Sequence, residues 1–113
     1  MMAGRSGSAA AEELQHILEV DRLIHEPARL LIVALLASVR EADFVFLLRE
    51  TGLTKGNLSA HLAKLEVAGY VDIEKSFRGK VPQTICKLTK AGRSAFQAYR
   101  AQMKQIVERM SKE

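Results

Sequence analysis

Several features that mark other classes of protein are scarce or missing in this sequence. Its 113 residues include one cysteine, so no disulfide can form within the chain, and a reducing cytoplasm is the expected compartment. No apolar run approaches the ~18 residues that a membrane-spanning helix needs, so no membrane association is expected. The first ten residues, MMAGRSGSAA, lack the apolar region and the flanks of a signal peptide. Residues 1–8 are therefore predicted to form a disordered tail.

Catalytic and metal-binding patterns are missing as well. An enzyme would need a nucleophile with a base, a carboxylate pair or a metal, and the only candidates are scattered Ser and His residues without a motif around them. His16, His25 and His61 have neither i,i+4 spacing nor a cysteine partner, and Cys86 stands alone. No enzyme activity, metal site or cofactor is therefore expected.

The charges that are present are distributed unevenly. Residues 1–51 carry five Lys and Arg against eight Asp and Glu, whereas residues 52–113 carry twelve against five. The net charge therefore changes from −3 to +7 between these two parts. A basic half favours a polyanionic partner, and a basic surface that serves only solubility is the alternative. The length and the 48% hydrophobic content suit one globular domain, expected over residues 9–113.

The stretch LTKGNLSAHLAKLEVAG, residues 53–69, predicts an amphipathic helix. Thr54 can cap its N-terminus through the side-chain hydroxyl, and Gly69 can adopt the left-handed conformation that closes the C-terminus. Apolar residues at i, i+4 and i+7 form one stripe that should face a core. These residues are Leu58, Leu62 and Leu65.

The opposite side of this helix is predicted to be small and polar. At ~100° per residue, it carries Gly56, Asn57, Ala60, Ala63 and Lys64, with Ser59 and His61 on its flanks. Small residues let a backbone approach closely, while Asn and Lys contact bases and phosphates. A face that is simply solvated is the alternative.

Two helices are predicted within residues 9–38. The first runs from Ala9 to about Leu23, with acidic residues in its first turn. Pro27 suits the start of the second, which covers residues 28–38 and is apolar nearly all round apart from Arg29. This second helix is expected to be the most buried element.

A third predicted helix covers residues 44–51, with Asp43 as its N-cap and Gly52 as its end. The short connection Thr51-Gly52-Leu53 then joins it to the amphipathic helix. Two helices joined by a tight turn containing glycine are typical of a helix-turn-helix, in which the second helix reads DNA.

Beyond Gly69 the apolar period changes from about 3.6 to 2, which predicts two strands. Between them, residues 75–83 form a basic tip in which Gly79 permits a turn and Pro82 limits further pairing. Cys86 alternates with Thr84 and Leu88, and is expected to pack inward. The two strands and their tip predict a wing.

Thr89 is predicted to cap a last helix over residues 90–111. Its apolar residues are spaced 3, 4, 3 and 4, the period of a coiled-coil seam. The seam consists of Phe96, Tyr99, Met103, Ile106 and Met110. It can pack against the chain's own first helix, against a second subunit, or against both.

This order of elements resembles that of small transcriptional regulators of the MarR/ArsR type. The similarity runs from His25 to Arg93, through HEPARLLIVALLA, LTKGNLSAHLAKLEVAGYVDIEK, a wing containing glycine, and LTKAGR. The expected fold class is α+β and mostly helical. It is a winged helix-turn-helix with an N-terminal helix and a long C-terminal dimerisation helix.

The resemblance implies a homodimer that binds duplex DNA and regulates transcription. The helix at 55–68 would enter the major groove, and the wing at 76–82 would lie on the flanking minor groove or backbone. By position, the expected DNA contacts are Thr54, Lys55, Asn57, Ser59, Ala60, His61, Lys64, Lys75, Arg78, Gly79 and Lys80. The expected dimer contacts are Leu14, Ile17, Phe96, Tyr99, Met103, Ile106 and Met110.

The sequence also departs from the proteins that it resembles. Metal-sensing ArsR-type proteins use Cys-rich or His/Asp sites that this sequence lacks. Larger MarR-type proteins enclose a phenolic-ligand pocket with further helices, which this shorter chain can build only in part. A small-molecule effector is therefore left open.

Two other functions are compatible with this fold. Val45 and Phe46 are expected to be exposed while Phe44, Leu47 and Leu48 are buried, which would suit a protein-protein adaptor. A nonspecific architectural role on DNA is the other. RNA is disfavoured, because a helix cannot read the deep, narrow groove of A-form RNA and the chain has no aromatic platform for unpaired bases.

Overall fold

The computed structural model describes residues 11, 12 and 14–111. The predicted tail at 1–8 and the predicted helix start at Ala9 lie outside the described residues. Within the described part, a 3-10 helix, Gln15–Glu19, precedes four α-helices and three strands. These are α1 (Pro27–Ala37), β1 (Ala42–Asp43), α2 (Phe44–Thr51), α3 (Lys55–Val67), β2 (Val71–Arg78), β3 (Val81–Leu88) and α4 (Lys90–Ser111). The mostly helical winged helix-turn-helix predicted from the sequence is confirmed.

Side-chain caps set the boundaries of the helix-turn-helix. Asp43 Oδ1 accepts a hydrogen bond from the backbone N–H of Phe46 at 2.7 Å and so starts α2. Gly52 ends α2 with a φ of 70°, in the left-handed region. Thr54 Oγ1 then accepts from the backbone N–H of Asn57 at 3.1 Å and starts α3. These caps are local, and the sequence predicted all of them.

The sheet is antiparallel, with strand order β1-β3-β2. β2 and β3 are joined by a two-residue turn, Gly79 and Lys80, in which Gly79 has a φ of 66°. A positive φ at the first of two turn residues is the pattern of a type II′ hairpin. The wing therefore forms as predicted, with its basic tip.

The expectation that Pro82 limits pairing between the two strands is wrong. Pro82 lies inside β3, opposite Phe77. In a two-residue hairpin the second pair from the turn makes no ladder hydrogen bonds, so the missing N–H of proline costs no bond to β2. On its other side, β1 reaches only as far as Ile85. Pro82 therefore sits at an open edge of the sheet, where proline is tolerated.

The predicted N-terminal helix ends earlier than expected. After the 3-10 helix, Val20 is extended with a ψ of 154°, and the chain turns instead of continuing to Leu23. Asp21 Oδ1 accepts from the backbone N–H groups of Leu23 at 2.9 Å and Ile24 at 3.2 Å. Asp side chains offer the backbone this alternative to a helix. The turn directs Val20 and Ile24 into a buried position.

The main core lies between α1, α3 and the sheet. Ile32, Val33 and Leu36 of α1 are fully buried, which confirms α1 as the central core helix. The predicted stripe of α3 is also buried, and Cys86 of β3 packs inward as expected. Burial raises the pKa of the Cys86 thiol to about 11.

One expected exposure is corrected by the structure. Val45 is 65% exposed, as predicted, but Phe46 is partly buried and packs against the main core. The guanidinium of Arg49 lies over its ring, 5.8 Å from the ring centroid. Only Val45 of this pair is therefore an exposed apolar group.

A second cluster joins α4 to the segment before α1. Its buried members are Val20, Ile24, Tyr99 and Ile106, with Leu14, Leu30, Phe96 and Met103 packed against them. His25 Nδ1 lies 2.7 Å from the Tyr99 hydroxyl. The seam of α4 thus packs in part on the chain's own N-terminal segment. No helix in the described part of the chain is long and apolar enough to cross a membrane.

Candidate nucleic-acid interface

The helix α3 is held by its apolar stripe and presents its other side to solvent. Leu58, Leu62 and Leu65 are buried in the main core. The residues predicted on the opposite face are exposed: Gly56, Asn57, Ala60, Ala63 and Lys64. A helix fixed in this way can offer a small, polar surface to a partner without rearranging the core.

One edge of α3 faces the wing. Ser59, Ala63 and Glu66 of α3, together with Lys75 of β2, line a groove of about 300 Å³ between the helix and the hairpin. The structure therefore brings Ser59 and Lys75, two of the predicted contacts, to the same groove. Glu66 is an acidic group that sequence reasoning did not place there.

The other edge of α3 faces the start of α1. It carries Asn57, His61 and Lys64, which are spaced i, i+4 and i+7. Asn57 and Lys64 are exposed, whereas His61 is half-buried. Arg29 Nη1 lies 3.2 Å from His61 Nδ1. Among the described residues, the Asn57 carboxamide has no hydrogen-bond partner, so it is available to a ligand.

The tip of the wing carries the remaining predicted residues. Arg78, Gly79 and Lys80 are all exposed there. Within residues 11, 12 and 14–111, no ion pair involves a lysine or arginine of α3 or the wing; the pairs His16 with Glu19 and Arg49 with Glu50 lie elsewhere. The cations of α3 and the wing are therefore not neutralised by these pairs, which leaves them able to bind phosphate. Thr54 and Lys55 are exposed at the start of α3.

Arg29 is a residue that sequence reasoning missed. Its Nε donates to the carbonyl of Leu23 at 2.6 Å, and its backbone N–H donates to Glu26 Oε1 at 2.7 Å. The bond to Glu26 is the main reason that the pKa of this carboxyl lies below its ordinary value. The sequence did offer one signal for a special role of Arg29, because it is the single charged residue in a helix that is otherwise apolar.

The predicted dimer contacts fall into three groups. Leu14, Phe96 and Met103 are partly buried against the second cluster. Tyr99 and Ile106 are already buried within the chain. Met110 and Ile17 are exposed, as is the unpredicted Val107. A groove of about 660 Å³ along α4 is lined by Leu30, Phe96, Gln97, Tyr99, Arg100, Ala101, Met103, Lys104 and Val107. The C-terminal part of the α4 seam, at Val107 and Met110, is thus exposed and could pack against another surface.

Nothing in the described ranges assembles a metal site, because no three His, Cys, Asp or Glu side chains come together there. The chemistry of the face made by α3 and the wing is that of hydrogen bonding and positive charge. This face suits a nucleic acid, whose groove edges and phosphates accept such contacts.

Comparison with known proteins decides the family. The model of the winged-helix DNA-binding domain matches residues 28–107. This chain belongs to that family. The match covers the helix-turn-helix, the wing and most of α4. An uncharacterized protein from Methanocaldococcus jannaschii is 40% identical to this winged-helix chain over 79 residues, which is 69% of this chain and 85% of that protein.

Three solved structures are similar to this winged-helix protein. A transcriptional regulator homologue from Pyrococcus horikoshii has a TM-score of 0.78 and 29% identity, over 86% of this chain and 95% of its own. NadR in complex with 4-hydroxyphenylacetate has a TM-score of 0.62 and 23% identity, over 95% of this chain and 72% of its own. A MarR-family regulator from Silicibacter pomeroyi has a TM-score of 0.60 and 20% identity, over 96% of this chain and 70% of its own. At these identities the last two show the fold alone.

Proposed function

We propose that this winged-helix protein binds specific sites on duplex DNA as a homodimer and regulates transcription. The recognition helix, residues 55–68, lies in the major groove, and the wing, residues 76–82, lies on the flanking minor groove or backbone. The carrying observation is that the exposed edges of α3 and the basic tip of the wing belong to one unit, joined by the groove that Ser59 and Lys75 line.

The helix α3 suits a major groove by its size and its side chains. A B-DNA major groove is about 12 Å wide and admits one α-helix. Gly56, Ala60 and Ala63 keep the outward face of α3 small, and beyond the adjacent residues and backbone of its own helix nothing lies within 4 Å of a Cβ built on Gly56. The backbone can therefore approach the bases closely. Asn57, whose carboxamide is free, can donate to and accept from the edge of an adenine.

The wing supports binding through charge. Arg78 and Lys80 flank Gly79 at an exposed turn, and Lys75 lies nearer the helix. Each cation that meets a phosphate releases condensed counterions, which gives affinity without sequence preference. We assign these three residues to holding the DNA, and Asn57 with its neighbours on α3 to reading it.

A homodimer is supported by the apolar surface that the monomer leaves along α4. Val107 is 48% exposed and Met110 is 49% exposed, and both continue the seam that starts at Phe96. Exposed apolar residues in a row mark an interaction surface. A second copy on this surface would place two recognition helices on one duplex, which doubles the number of base pairs that are read.

A protein-protein adaptor is the second candidate, and one observation favours it. Val45, Phe77 and Val81 are exposed apolar residues that line a groove of about 670 Å³ between α2 and the wing. Apolar groups at such a place suit a peptide partner. The same groove also includes Lys75 and Arg78, which serve DNA equally well.

Selection from a random pool of duplexes separates these functions. The full chain is incubated with the pool at moderate salt, and bound duplexes are amplified and sequenced over several rounds. The proposed function predicts a consensus with two related half-sites. Retention of DNA without a consensus would indicate an architectural role, and failure to retain any duplex would support the adaptor.

A further inference from the structure

The side chain of Arg29 connects the start of α1 to the recognition helix. Its Nε is anchored on the carbonyl of Leu23 at 2.6 Å, so the planar guanidinium has a fixed orientation. Its Nη1 then reaches Nδ1 of His61 at 3.2 Å, although the two residues are 32 positions apart. The backbone of Arg29 is held in turn by the cap at Glu26. Both the side chain and the backbone of Arg29 are therefore held in place where the guanidinium meets His61.

The chemistry of this contact determines the form of the histidine. A guanidinium donates hydrogen bonds and has no acceptor. Nδ1 of His61 must therefore accept, which requires that it carries no proton. A neutral imidazole with a bare Nδ1 carries its proton on Nε2. Within the described residues no acceptor binds that Nε2–H, so it is available for a partner outside the chain.

The geometry points to a specific role for this pair: Arg29 positions His61 as a neutral Nε2–H donor that reads an acceptor on a base edge in the major groove. The acceptors of that kind are N7 and O6 of guanine, N7 of adenine and O4 of thymine. His61 would then act as a specificity residue, and not as a cation on a phosphate. This inference rests on the proposed binding of duplex DNA.

Position on the helix supports the role. His61 lies one turn beyond Asn57 on the same edge of α3, so both side chains meet one strip of the groove. Arg29 lies against His61, and the carboxylate of Glu26, also at the start of α1, is close enough to interact with it electrostatically. Lys64 lies about one turn further along α3. A proton added to Nδ1 would oppose the Arg29 donor directly. The contact is therefore compatible with a bare Nδ1 and a proton on Nε2.

The tautomer can be tested on the free protein. Nitrogen-15 spectra of the imidazole, recorded at a pH at which the ring is neutral, distinguish protonation at Nδ1 from protonation at Nε2. His61 of the wild type should carry its proton on Nε2, and Arg29→Met, which keeps the apolar stem, should lose this preference. Arg40→Met is the matched control, because Arg40 is exposed and lies beyond the other end of α1. A proton on Nδ1 in the wild type would overturn the inference.

The role in reading is tested on the selected duplex and on random duplexes over a range of salt. His61→Ala should lower the ratio of specific to random affinity roughly tenfold. Arg29→Met should lower it to a similar degree, and the double variant should lose no more than His61→Ala alone. His61→Gln, which places an amide donor near the position of Nε2, should keep much of the ratio. None of these changes should alter the slope of log K against log salt.

Three results would contradict this account. Additive losses in the double variant would separate the two residues. A salt slope that becomes shallower by about one unit in Arg29→Met would show that Arg29 itself binds phosphate. An unchanged ratio in His61→Ala would exclude His61 as a reader. If Arg29→Met does not fold, the wild-type spectrum and His61→Gln still decide. If the wild type selects no DNA, the proposed function fails, while the spectrum still tests the positioning by Arg29.

Discussion

The hydroxyl of Tyr70 donates a hydrogen bond to Oδ2 of Asp21, across 49 positions of sequence. Tyr70 directly follows the glycine that ends the α3 region, and Asp21 forms the turn that bends the N-terminal segment toward α4. The backbone carbonyl of Tyr70 also accepts from the N–H of Thr89 at 2.9 Å. Tyr70 thus links the end of α3 to the N-terminal segment and to the start of α4, the two parts of the chain that form the second cluster.

Replacing Tyr70 by Phe should lower the free energy of unfolding and change its pH dependence. The bond to Asp21 raises the pKa of Tyr70 to about 12, with burial adding to the effect, from an ordinary value of 10.0. The folded state therefore holds a proton that the unfolded state releases. The resulting stability is complete below pH 10.0 and is lost as the pH rises through about 12. Near neutral pH the loss in Tyr70→Phe should be about 1–2 kcal/mol.

Chemical denaturation between pH 7 and 12 checks this expectation. The difference in stability between the wild type and Tyr70→Phe should shrink across the upper part of that range. Cys86 also has a raised pKa, at about 11, but it is common to both proteins and does not enter the difference. A difference that stays constant with pH would show that the hydrogen bond to Asp21 does not set the titration.

Gly92 and Gly56 should respond in opposite ways to alanine. A Cβ on Gly92 would lie 2.2 Å from the backbone carbonyl oxygen of Tyr70, so α4 would have to move away from the core. We expect Gly92→Ala to lose about 1–3 kcal/mol of stability. Gly56 has open space, so Gly56→Ala should keep or slightly raise the melting temperature. If its backbone approaches DNA, the added methyl should also weaken binding, and unchanged affinity would argue against that approach.

The proposed dimer can be tested on residues that the monomer does not bury. Val107→Glu places a charge on the exposed part of the α4 seam, where the monomer tolerates it but an apolar interface does not. Light scattering at low micromolar concentration should show a shift from dimer to monomer. Gln105→Glu, an exposed position on another side of α4, adds a negative charge outside the seam and should remain dimeric. If both variants stay dimeric, the seam serves only the second cluster.

Asn57 and Arg78 should fail differently, because one is assigned to reading and the other to holding. Asn57→Ala should cost about 1–3 kcal/mol on the selected duplex and little on random DNA. Arg78→Ala should weaken both to similar degrees. Lys87→Ala is the charge-matched control, since Lys87 is exposed near the acidic residues Asp72 and Glu74, away from the tip. If Arg78→Ala alone relaxes base preference, the wing reads the shape of the minor groove and the division of tasks is wrong.

The sequence predicted those parts of the fold that depend on neighbours along the chain. The caps at Asp43 and Thr54 and the end at Gly52 each involve residues within one helical turn. The stripe of α3 follows from helical period alone. These signals placed the helix-turn-helix and the hairpin correctly.

The sequence did not predict the features that depend on distant partners. The turn after Val20 is held by Asp21 and Tyr70, and helical propensity in the first segment gave no sign of it. Pro82 is tolerated because β1 is too short to pair with it, which a strand pattern does not reveal. The contact between Arg29 and His61 likewise spans two helices. The only sign of this contact in the sequence was Arg29 itself, a single charged residue in a helix that is otherwise apolar.

The salt dependence of binding to the selected duplex tests the central claim most directly, because it counts the phosphates that the protein holds. A dimer in which each subunit uses three cations, Lys75, Arg78 and Lys80, would make ~6 phosphate contacts, and log K should then fall with log salt at a slope of about −5. The full chain is titrated against the duplex by fluorescence anisotropy at several salt concentrations. A slope of about −5 is the result predicted by this account. A slope near zero would contradict it, because a winged helix held on DNA by its basic wing must release counterions when it binds.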